Sequence, residues 1–252
     1  PDAGSDLAGM RSTAVEQDDH YVLNGAKTYI SNGICGDVSV VAARTDPDIP
    51  HAISLFAVES TFAGFKRGAH LKKMGMKSQD TAELFFDNVK VPKENLIGVA
   101  GQGFKYLMSG LAEERLICAI WNVATAEYAF ELTKAFVLDR KVFGKPLAAM
   151  QNTQFKMAEL RARMDMAMAF TDTLVAKINL GDHDSVAASS AKLLTSELLC
   201  DVADEGVQLH GGAGYMDEYP ISQVYADARI TRIFAGTSEI MKLIISRSIF
   251  SD

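Results

Sequence analysis

The sequence predicts an α+β protein in which an antiparallel β-barrel domain, residues 1–98, is followed by a four-helix bundle, residues 99–252. Apolar residues in the first part come in short, often alternating runs, which is a strand pattern. After Gly103 the chain has only two prolines and long stretches rich in Ala, Leu, Met, Glu and Arg at helical spacing. Hydrophobic residues make up 48% and charged residues 23% of the 252 residues, as in ordinary globular proteins.

Short apolar runs separated by turn signals predict the strands of the first domain. The clearest runs are Tyr21–Leu23, Val38–Ala43, Ile53–Val58 and Leu84–Val89. The turn signals are Asn24-Gly25, Asn32-Gly33, Asp46-Pro47, Ala63-Gly64 and Asp87-Asn88. Several short strands with turns between them favour an antiparallel sheet or a small barrel.

Four helices are predicted in the second domain, at about 103–139, 150–180, 184–210 and 222–249. At about 1.5 Å per residue they are rods of roughly 40 to 55 Å, long enough to pack as an antiparallel bundle.

Charge and cysteine content exclude several classes of function. A net charge of −7 and a pI near 5.3, with no basic tract, argue against nucleic acid as the main partner and against an electrostatic membrane anchor. No apolar run reaches the roughly 18 residues that cross a bilayer. Three widely spaced cysteines without a CxxC pair suggest neither a disulfide framework nor a metal site. Because the chain begins with Pro1 rather than Met, we expect that an upstream segment is missing.

Five separated motifs occur in one order along the chain. They are PDAGSD at 1–6, LNGAKTYISNG at 23–33, RKVFGKP at 140–146, QLHGGAGY at 208–215 and AGTSEI at 235–240. In this order and spacing they resemble the acyl-CoA dehydrogenase family, in particular its long-chain and isovaleryl-CoA dehydrogenase branch. The family fold is an N-terminal helical domain, a middle β domain and a C-terminal four-helix bundle, and only the last two match this chain.

The resemblance implies an FAD site that uses residues from both domains. Tyr29 would lie against the isoalloxazine ring, and Ile30 and Ser31 would place a hydroxyl or backbone group near flavin N5. Ser5 would contact the flavin phosphates or the thioester end of the substrate. By its surroundings alone, a tyrosine in a strand is more often a core residue.

Three further segments are implied to hold FAD. Arg140, Phe143 and Gln151 would reach the FAD of a neighbouring subunit, where a guanidinium suits a pyrophosphate. The second strip of that shared site comprises Gln208, Leu209, His210, Gly211 and Gly212. The loop for the subunit's own FAD phosphates comprises Gly236, Thr237, Ser238 and Glu239. Arg140 could equally be a surface salt-bridge residue, and Thr237 or Ser238 a helix N-cap.

The catalytic base requires a separate argument, because Ala235 stands where many family members carry the catalytic glutamate. The long-chain and isovaleryl branch carries the base in a Glu-Arg pair on the first bundle helix, which here is Glu114-Arg115 after Glu113. Helical geometry puts Glu114 at the edge of an apolar stripe and Glu113 nearly opposite. We expect desolvation to raise the pKa of Glu114 and strengthen it as a base. The alternative is a buried ion pair of Glu114 with Arg115 or another arginine.

The resemblance implies α,β-dehydrogenation of a fatty or branched acyl-CoA. Glu114 would take the α-proton while the β-hydrogen leaves as hydride to the flavin, and Ser5, Arg115, Ala235 and Gly236 would contact the substrate. The Ala235 N–H would polarise the thioester carbonyl, with long-chain acyl-CoA the preferred substrate and branched short-chain acyl-CoA the next. Electrons would pass to an electron-transfer flavoprotein, and the enzyme would be a homodimer or homotetramer, cytoplasmic in a bacterium and in the mitochondrial matrix of a eukaryote. The alternatives are a flavin oxidase or monooxygenase of the same fold and a non-catalytic assembly subunit.

Overall fold

The structure, a computed structural model, describes residues 3–46, 49 and 52–250. Pro1 and Asp2 of the first motif, and Pro47 of one predicted turn, lie outside the described residues. The chain divides into two units, Pro1–Gly110 and Leu111–Asp252, and each is treated by itself. Among the described residues, no helix combines the length and the apolar character needed to cross a bilayer.

The first unit is built on a sheet whose seven strands include all four of the predicted apolar runs. The strands are β1 (Thr13–Glu16), β2 (His20–Ser31), β3 (Val38–Arg44), β4 (Ile53–Glu59), β5 (Phe65–Arg67), β6 (Thr81–Pro92) and β7 (Leu96–Ile97). Their order across the sheet is β5-β6-β2-β1-β3-β4-β7. Neighbours are antiparallel except β1 and β3, which meet in parallel at Thr13 and Arg44.

The predicted barrel is wrong, because the sheet is open. Closure would require the two edge strands, β5 and β7, to pair with each other. They have only three and two residues, so they offer few backbone groups for such a ladder. Short edge strands are also a common protection against pairing with other chains.

Two predicted turns, Asn24-Gly25 and Asp87-Asn88, lie instead inside β2 and β6. They face each other across a register shift, where β6 has one more residue than β2 between paired positions. The Asn88 N–H donates to Asn24 Oδ1 at 2.7 Å, and Asn88 has a φ of 51°. Gly25 has a φ of 137°, and a Cβ there would lie 2.6 Å from Ser12 Oγ. These turn-forming residues therefore make a β-bulge.

The β-unit core is a cluster of alternate strand residues. It comprises Ala14, Tyr21, Leu23, Val41, Ala43, Phe56, Val58, Leu84, Phe86, Val89 and Val91. The period-two pattern that predicted the strands is thus the pattern of burial.

The second unit is helical, which confirms the α+β class, but the described residues contain five helices rather than four. They are α1 (Gly103–Asp139), α2 (Gln151–Asn179), α3 (Ser185–His210), α4 (Pro220–Ala228) and α5 (Ser238–Phe250). A hairpin of β8 (Lys141–Val142) and β9 (Lys145–Pro146) joins α1 to α2. The predicted helix 222–249 is two helices, because Ala235 and Gly236 have φ of 51° and 94° and cannot continue a right-handed helix.

One apolar cluster joins the first four helices of this unit. Its buried members are Ala126, Ala129, Phe130, Leu160, Met164, Leu198, Leu199, Val202, Ala203, Ile221, Val224 and Ala228. This core fixes α1 and α3 side by side, which positions the groups described below.

Candidate active site

The two adjacent glutamates of α1 have different surroundings. Glu113 lies 3.2 Å from His183 Nδ1 through its Oε1 atom, an exposed ion pair when the histidine is protonated. Glu114 is also exposed, and it forms no hydrogen bond or ion pair within the described part of the chain. Of the two, Glu114 is the carboxylate left available for another molecule.

The desolvation expected at Glu114 is not provided by the residues that the structure describes. The stripe predicted to bury it, including Leu107, Met108 and Leu111, is itself only partly buried or exposed. The buried positions of α1 follow another line, through Ala112, Leu116, Ala119, Val123, Ala126 and Phe130. The helix is apolar on several faces, so periodicity alone could not show which face packs in the bundle.

Arg115 is buried and bonded to α3 rather than to a carboxylate. Its Nη1 atom lies 3.2 Å from the hydroxyl oxygens of both Ser185 and Ser189, to which it donates. Burial lowers the pKa of Arg115, and the nearby charge of Glu114 opposes that shift. The alternative of a buried ion pair of Glu114 with Arg115 or another arginine is wrong for the described residues, because Glu114 is exposed and has no ion pair with any of them.

The loop before α5 has two consecutive residues in the left-handed region, Ala235 and Gly236. Thr237 caps α5, because its Oγ1 accepts from the Ile240 N–H at 3.3 Å and its carbonyl accepts from the Met241 N–H at 2.9 Å. Of the two predicted caps, Thr237 is thus the one used. No described residue accepts a hydrogen bond from the Ala235 N–H.

Glu239 and Ser238 complete the start of α5. The pKa of the Glu239 carboxyl is lowered by hydrogen bonds that it accepts from the Glu239 backbone N–H and from the Thr237 side chain. Ser238 is buried and donates to Glu197 Oε1 at 2.9 Å, and the other Glu197 oxygen lies 3.0 Å from Arg232 Nη2.

Lys192 of α3 is the residue of this region that the sequence reading missed. Its side chain is fully buried, and its ammonium donates to the Gly236 carbonyl at 2.6 Å. Burial lowers its pKa, and Arg115 lowers it further, whereas Cys118, Glu197 and Glu239 raise it. The available signal was its helical spacing with Ala188 and Thr195, which are also buried, because a lysine on a buried face is unusual.

In the β unit, Tyr29 lies at a second bulge, between the paired residues Lys27 and Ile30 of β2. Its φ is 60° and its side chain is 78% exposed, so the alternative of a core tyrosine is wrong. Ile30 packs against the sheet core and Ser31 is exposed.

Burial lowers the pKa of Lys27 to about 8. Ser5 is exposed in a bend that precedes the sheet.

The hairpin between α1 and α2 presents an aromatic ring to the exterior. Phe143 has a φ of 50° and is 98% exposed, at the tip between β8 and β9. Arg140 and Gln151 flank the hairpin and are exposed. Arg140 forms no ion pair with a described residue, so the structure offers no support for the surface salt-bridge alternative.

The last strip, at the end of α3, is only partly exposed. Gln208 is exposed and Leu209 half-buried, whereas the His210 ring is buried and stacked on Phe136, with centroids 4.2 Å apart. His210 Nδ1 lies 2.7 Å from the Gly206 carbonyl, to which it donates. Its ring thus serves the packing of the bundle.

Within the helical unit, Lys192 is close enough to Arg115 for their charges to interact, and it donates a hydrogen bond to the Gly236 carbonyl. Arg115 in turn senses the charge of Glu114, the residue before it in the chain. The glutamate, the arginine and the loop with the Ala235 N–H thus belong to the same unit. The structure places the Phe143 hairpin and the Gln208 strip in that unit as well, and Ser5 and Tyr29 in the other.

Comparison with known proteins accounts for nearly all of the chain. Residues 1–89 match the model of the acyl-CoA dehydrogenase middle domain, and residues 101–250 that of the C-terminal domain. Long-chain specific acyl-CoA dehydrogenase of Mus musculus is 47% identical over 255 residues, which cover 100% of this chain and 59% of that protein. Isobutyryl-CoA dehydrogenase of Bos taurus is 36% identical, with 100% and 61% covered.

A solved structure agrees with the sequence relatives. The crystal structure of an acyl-CoA dehydrogenase from Geobacillus kaustophilus superposes with a TM-score of 0.98 at 46% identity, over 100% of this chain and 67% of that one. The chain spans about three fifths of the length of the two curated relatives. Matches to two successive domain models, supported by this fold, show that the chain belongs to the acyl-CoA dehydrogenase family.

Proposed function

We propose that this chain forms the β and helical-bundle part of an FAD-dependent acyl-CoA dehydrogenase in which Glu114 is the base. The observation that carries the proposal is that the helical unit contains both Glu114, which has no partner among the described residues, and the Ala235 N–H, which donates to none of them. The loop that carries this N–H is held by the hydrogen bond from Lys192 of α3 to Gly236. A carboxylate and an unused backbone donor are the groups that proton abstraction next to a thioester carbonyl requires.

The residues present fit an FAD. The ring of Phe143 and that of Tyr29 are exposed and held by left-handed backbone, a costly arrangement that packing within the chain does not explain. Gly211 has a φ of 60°, so its backbone alone favours glycine, but a Cβ added at Gly212 would meet no described atom within 4 Å, so the chain's own packing does not require glycine at that position. Missing side chains allow a ligand to approach the backbone. Bound FAD would supply the acceptor for the substrate's β-hydrogen.

The expected roles in the reaction follow from these positions. The Ala235 N–H would donate to the thioester oxygen, which makes the α-proton more acidic. Glu114 would accept that proton, leaving the trans-2-enoyl-CoA after loss of the β-hydrogen. Its exposed carboxylate would have to be desolvated by substrate, or by parts of the protein outside this chain, to become a stronger base.

Substitution of Glu114 tests the base. Glu114→Gln keeps the size of the side chain but cannot take a proton, so the rate at which an acyl-CoA bleaches the flavin should fall by about three orders of magnitude or more. Glu113→Gln, which removes only the exposed pairing with His183, is the matched control and should stay within about threefold of wild type. An inactive Glu113 variant beside an active Glu114 variant would reverse the assignment.

The reduced flavin distinguishes a dehydrogenase from the other reactions of this fold. We expect an electron-transfer flavoprotein to reoxidise it and oxygen to do so only slowly. Rapid oxygen consumption in stopped flow would point to an oxidase or monooxygenase, and purified protein without flavin absorbance would support a non-catalytic assembly subunit.

The substrate is proposed to be a long-chain acyl-CoA, with branched short-chain acyl-CoA the next candidate. The support is the 47% identity to the mouse protein named for long-chain substrates, against 36% to the bovine isobutyryl-CoA dehydrogenase. A steady-state screen across acyl-CoA lengths should therefore show the highest kcat/KM with long chains. A maximum with isobutyryl-CoA would overturn this order.

A further inference from the structure

Lys192 is a buried cation whose hydrogen bond is not to a carboxylate. Lysine is almost never fully buried unless its charge is paired, because removal from water is costly. Here the ammonium meets the Gly236 carbonyl at 2.6 Å, and the structure gives it no ion pair with a described residue. Such an arrangement calls for a reason beyond the stability of the bundle.

The carbonyl that Lys192 holds belongs to a strained stretch of backbone. Ala235 and Gly236 are both left-handed, and Ala235 has a Cβ, so this conformation costs about 1 kcal/mol or more. Contacts from the surrounding structure must hold a loop in such a state. A charge-assisted hydrogen bond from a fixed helix is a strong anchor of this kind.

A second contact from the same helix fixes the far end of the loop. Glu197, five residues beyond Lys192 on α3, accepts from Ser238 at 2.9 Å, directly after the Thr237 cap. The loop is thus held on both sides of Thr237. The Ala235 N–H, one residue before the Lys192 anchor, makes no bond of its own to a described residue.

We infer that Lys192 is a positioning residue that holds the Ala235–Gly236 loop so that the Ala235 N–H is aimed at the thioester oxygen of the substrate. The inference rests on the proposed function. Lys192 itself need not touch substrate or flavin. An oxyanion donor must be placed within a few tenths of an ångström of its target, so its support should affect the reaction more than the binding of substrate.

Hydrogen exchange tests the positioning without any dependence on activity. Lys192→Met removes the donor at similar size, and the Ile240 and Met241 amides, which are bonded to Thr237, should exchange about tenfold faster or more. Lys192→Gln keeps a donor on a shorter side chain, so its exchange should be intermediate. If Lys192→Met does not fold, exchange in Lys192→Gln alone tests whether Lys192 holds the loop.

Thr195→Val is the matched control. Thr195 is buried one turn further along α3, and its hydroxyl accepts from Asn122 on α1 at 3.2 Å rather than contacting the loop. Its loss should destabilise the bundle while leaving exchange at Ile240 and Met241 near that of wild type. Unchanged exchange in both Lys192 variants, or equal acceleration in Thr195→Val, would overturn the inference.

The flavin-loaded protein supplies the second readout. In Lys192→Met the limiting rate of flavin reduction by an acyl-CoA should fall about 10- to 100-fold, with the dissociation constant of that acyl-CoA within about threefold of wild type. A loosened loop with an unchanged limiting rate would overturn the link to the reaction. A wild-type flavoprotein that no acyl-CoA reduces would instead refute the proposed function and this link together, while the exchange result would still decide whether Lys192 holds the loop.

Discussion

Protonation of His210 is opposed by the place of its ring in the bundle. Burial against Phe136 lowers the pKa, and the hydrogen bond to the Gly206 carbonyl only partly offsets that effect. The folded protein therefore binds this proton less readily than the unfolded chain. As pH falls through about 6.5, the ordinary pKa of histidine, the unfolded chain is protonated first. The contribution of His210 to stability is thus complete above that pH and decreases below it.

His210→Asn should reduce the loss of stability between pH 8 and pH 5.5, because the amide can still donate to Gly206 but does not titrate. At pH 8 the variant should be less stable by about 1 kcal/mol, owing to the lost stacking. Urea unfolding at the two pH values measures both effects. His70→Asn, at an exposed position, is the control and should keep the wild-type pH dependence. A His210 variant with the full wild-type loss on acidification would contradict the explanation.

At the scale of elements, the hairpin between α1 and α2 combines strain with exposure. Phe143 and Gly144, with φ of 50° and 79°, form its two-residue tip. Such a turn favours Asn-Gly, and an aromatic residue is poorly suited to the first position. A contact of the Phe143 ring with a molecule other than this chain would explain why the strained turn is kept.

Phe143→Asn should therefore raise stability and lower flavin affinity together. Relief of the strained turn should increase the free energy of unfolding by about 1 kcal/mol, and loss of the ring should weaken flavin binding about tenfold. Chemical denaturation and flavin titration are the two measurements. Phe143→Leu separates the effects, because it loses the ring but keeps the strain. A variant that is destabilised and binds flavin normally would show that the ring serves the fold instead.

Two helical glycines allow the packing of α1 and α3 to be tested. A Cβ on Gly206 would lie 2.7 Å from Ile221 Cδ1 and 2.9 Å from Thr133 Oγ1, whereas one on Gly110 would meet no described atom within 4 Å. Gly206→Ala should thus cost about 1 to 3 kcal/mol by overpacking. Gly110→Ala should gain about 0.5 to 1 kcal/mol through helix propensity. Urea unfolding of both variants tests this, and destabilisation by the Gly110 change would contradict the open space seen there.

Secondary structure was predictable where local pattern and packing agree. The four longest strands of the sheet, β2, β3, β4 and β6, contain the predicted apolar runs. The first three helices follow from long stretches of good helix formers without proline, although α1 is too apolar for its spacing to show which face is buried. Closure of the sheet depends on the lengths of the edge strands β5 and β7, and the alternation of apolar and polar residues does not predict those lengths. The helix is interrupted where Ala235 adopts a left-handed conformation. Alanine is the strongest helix former, so its presence in the sequence predicts a continuous helix instead.

The candidate site was predictable as a set of positions, but not in its supporting contacts. Glu114, Ala235 and the hairpin residues could be named from motifs and helical spacing. The bonds of Arg115 to two serines and of Lys192 to Gly236 join parts of the chain 44 to 74 residues apart. Those contacts arise only when α1, α3 and the loop pack together.

For the whole molecule, the exposed tip residue and the exposed Glu114 suggest a site completed by more than one chain. We expect Arg140 and Phe143 to serve the FAD of a neighbouring subunit, whereas Glu114 and Thr237 serve their own. A hybrid of Glu114→Gln and Arg140→Ala subunits would then contain one site with both defects and one site with none. Co-expression with two affinity tags, followed by an assay of flavin reduction, should show activity well above that of either parent.

The control hybrid combines two defects that belong to the same site. Glu114→Gln paired with Thr237→Val leaves every site with one defect, whichever subunit supplies it, so no activity should return. Light scattering of each hybrid establishes that dimers or tetramers have formed. Recovery in the first hybrid and none in the second requires the Arg140 side chain to act across the interface. Equal inactivity of both would mean that Glu114 and Arg140 of one subunit serve the same site, because every site of the first hybrid would then carry one defect. With Glu114 serving its own subunit, Arg140 would then serve its own subunit as well.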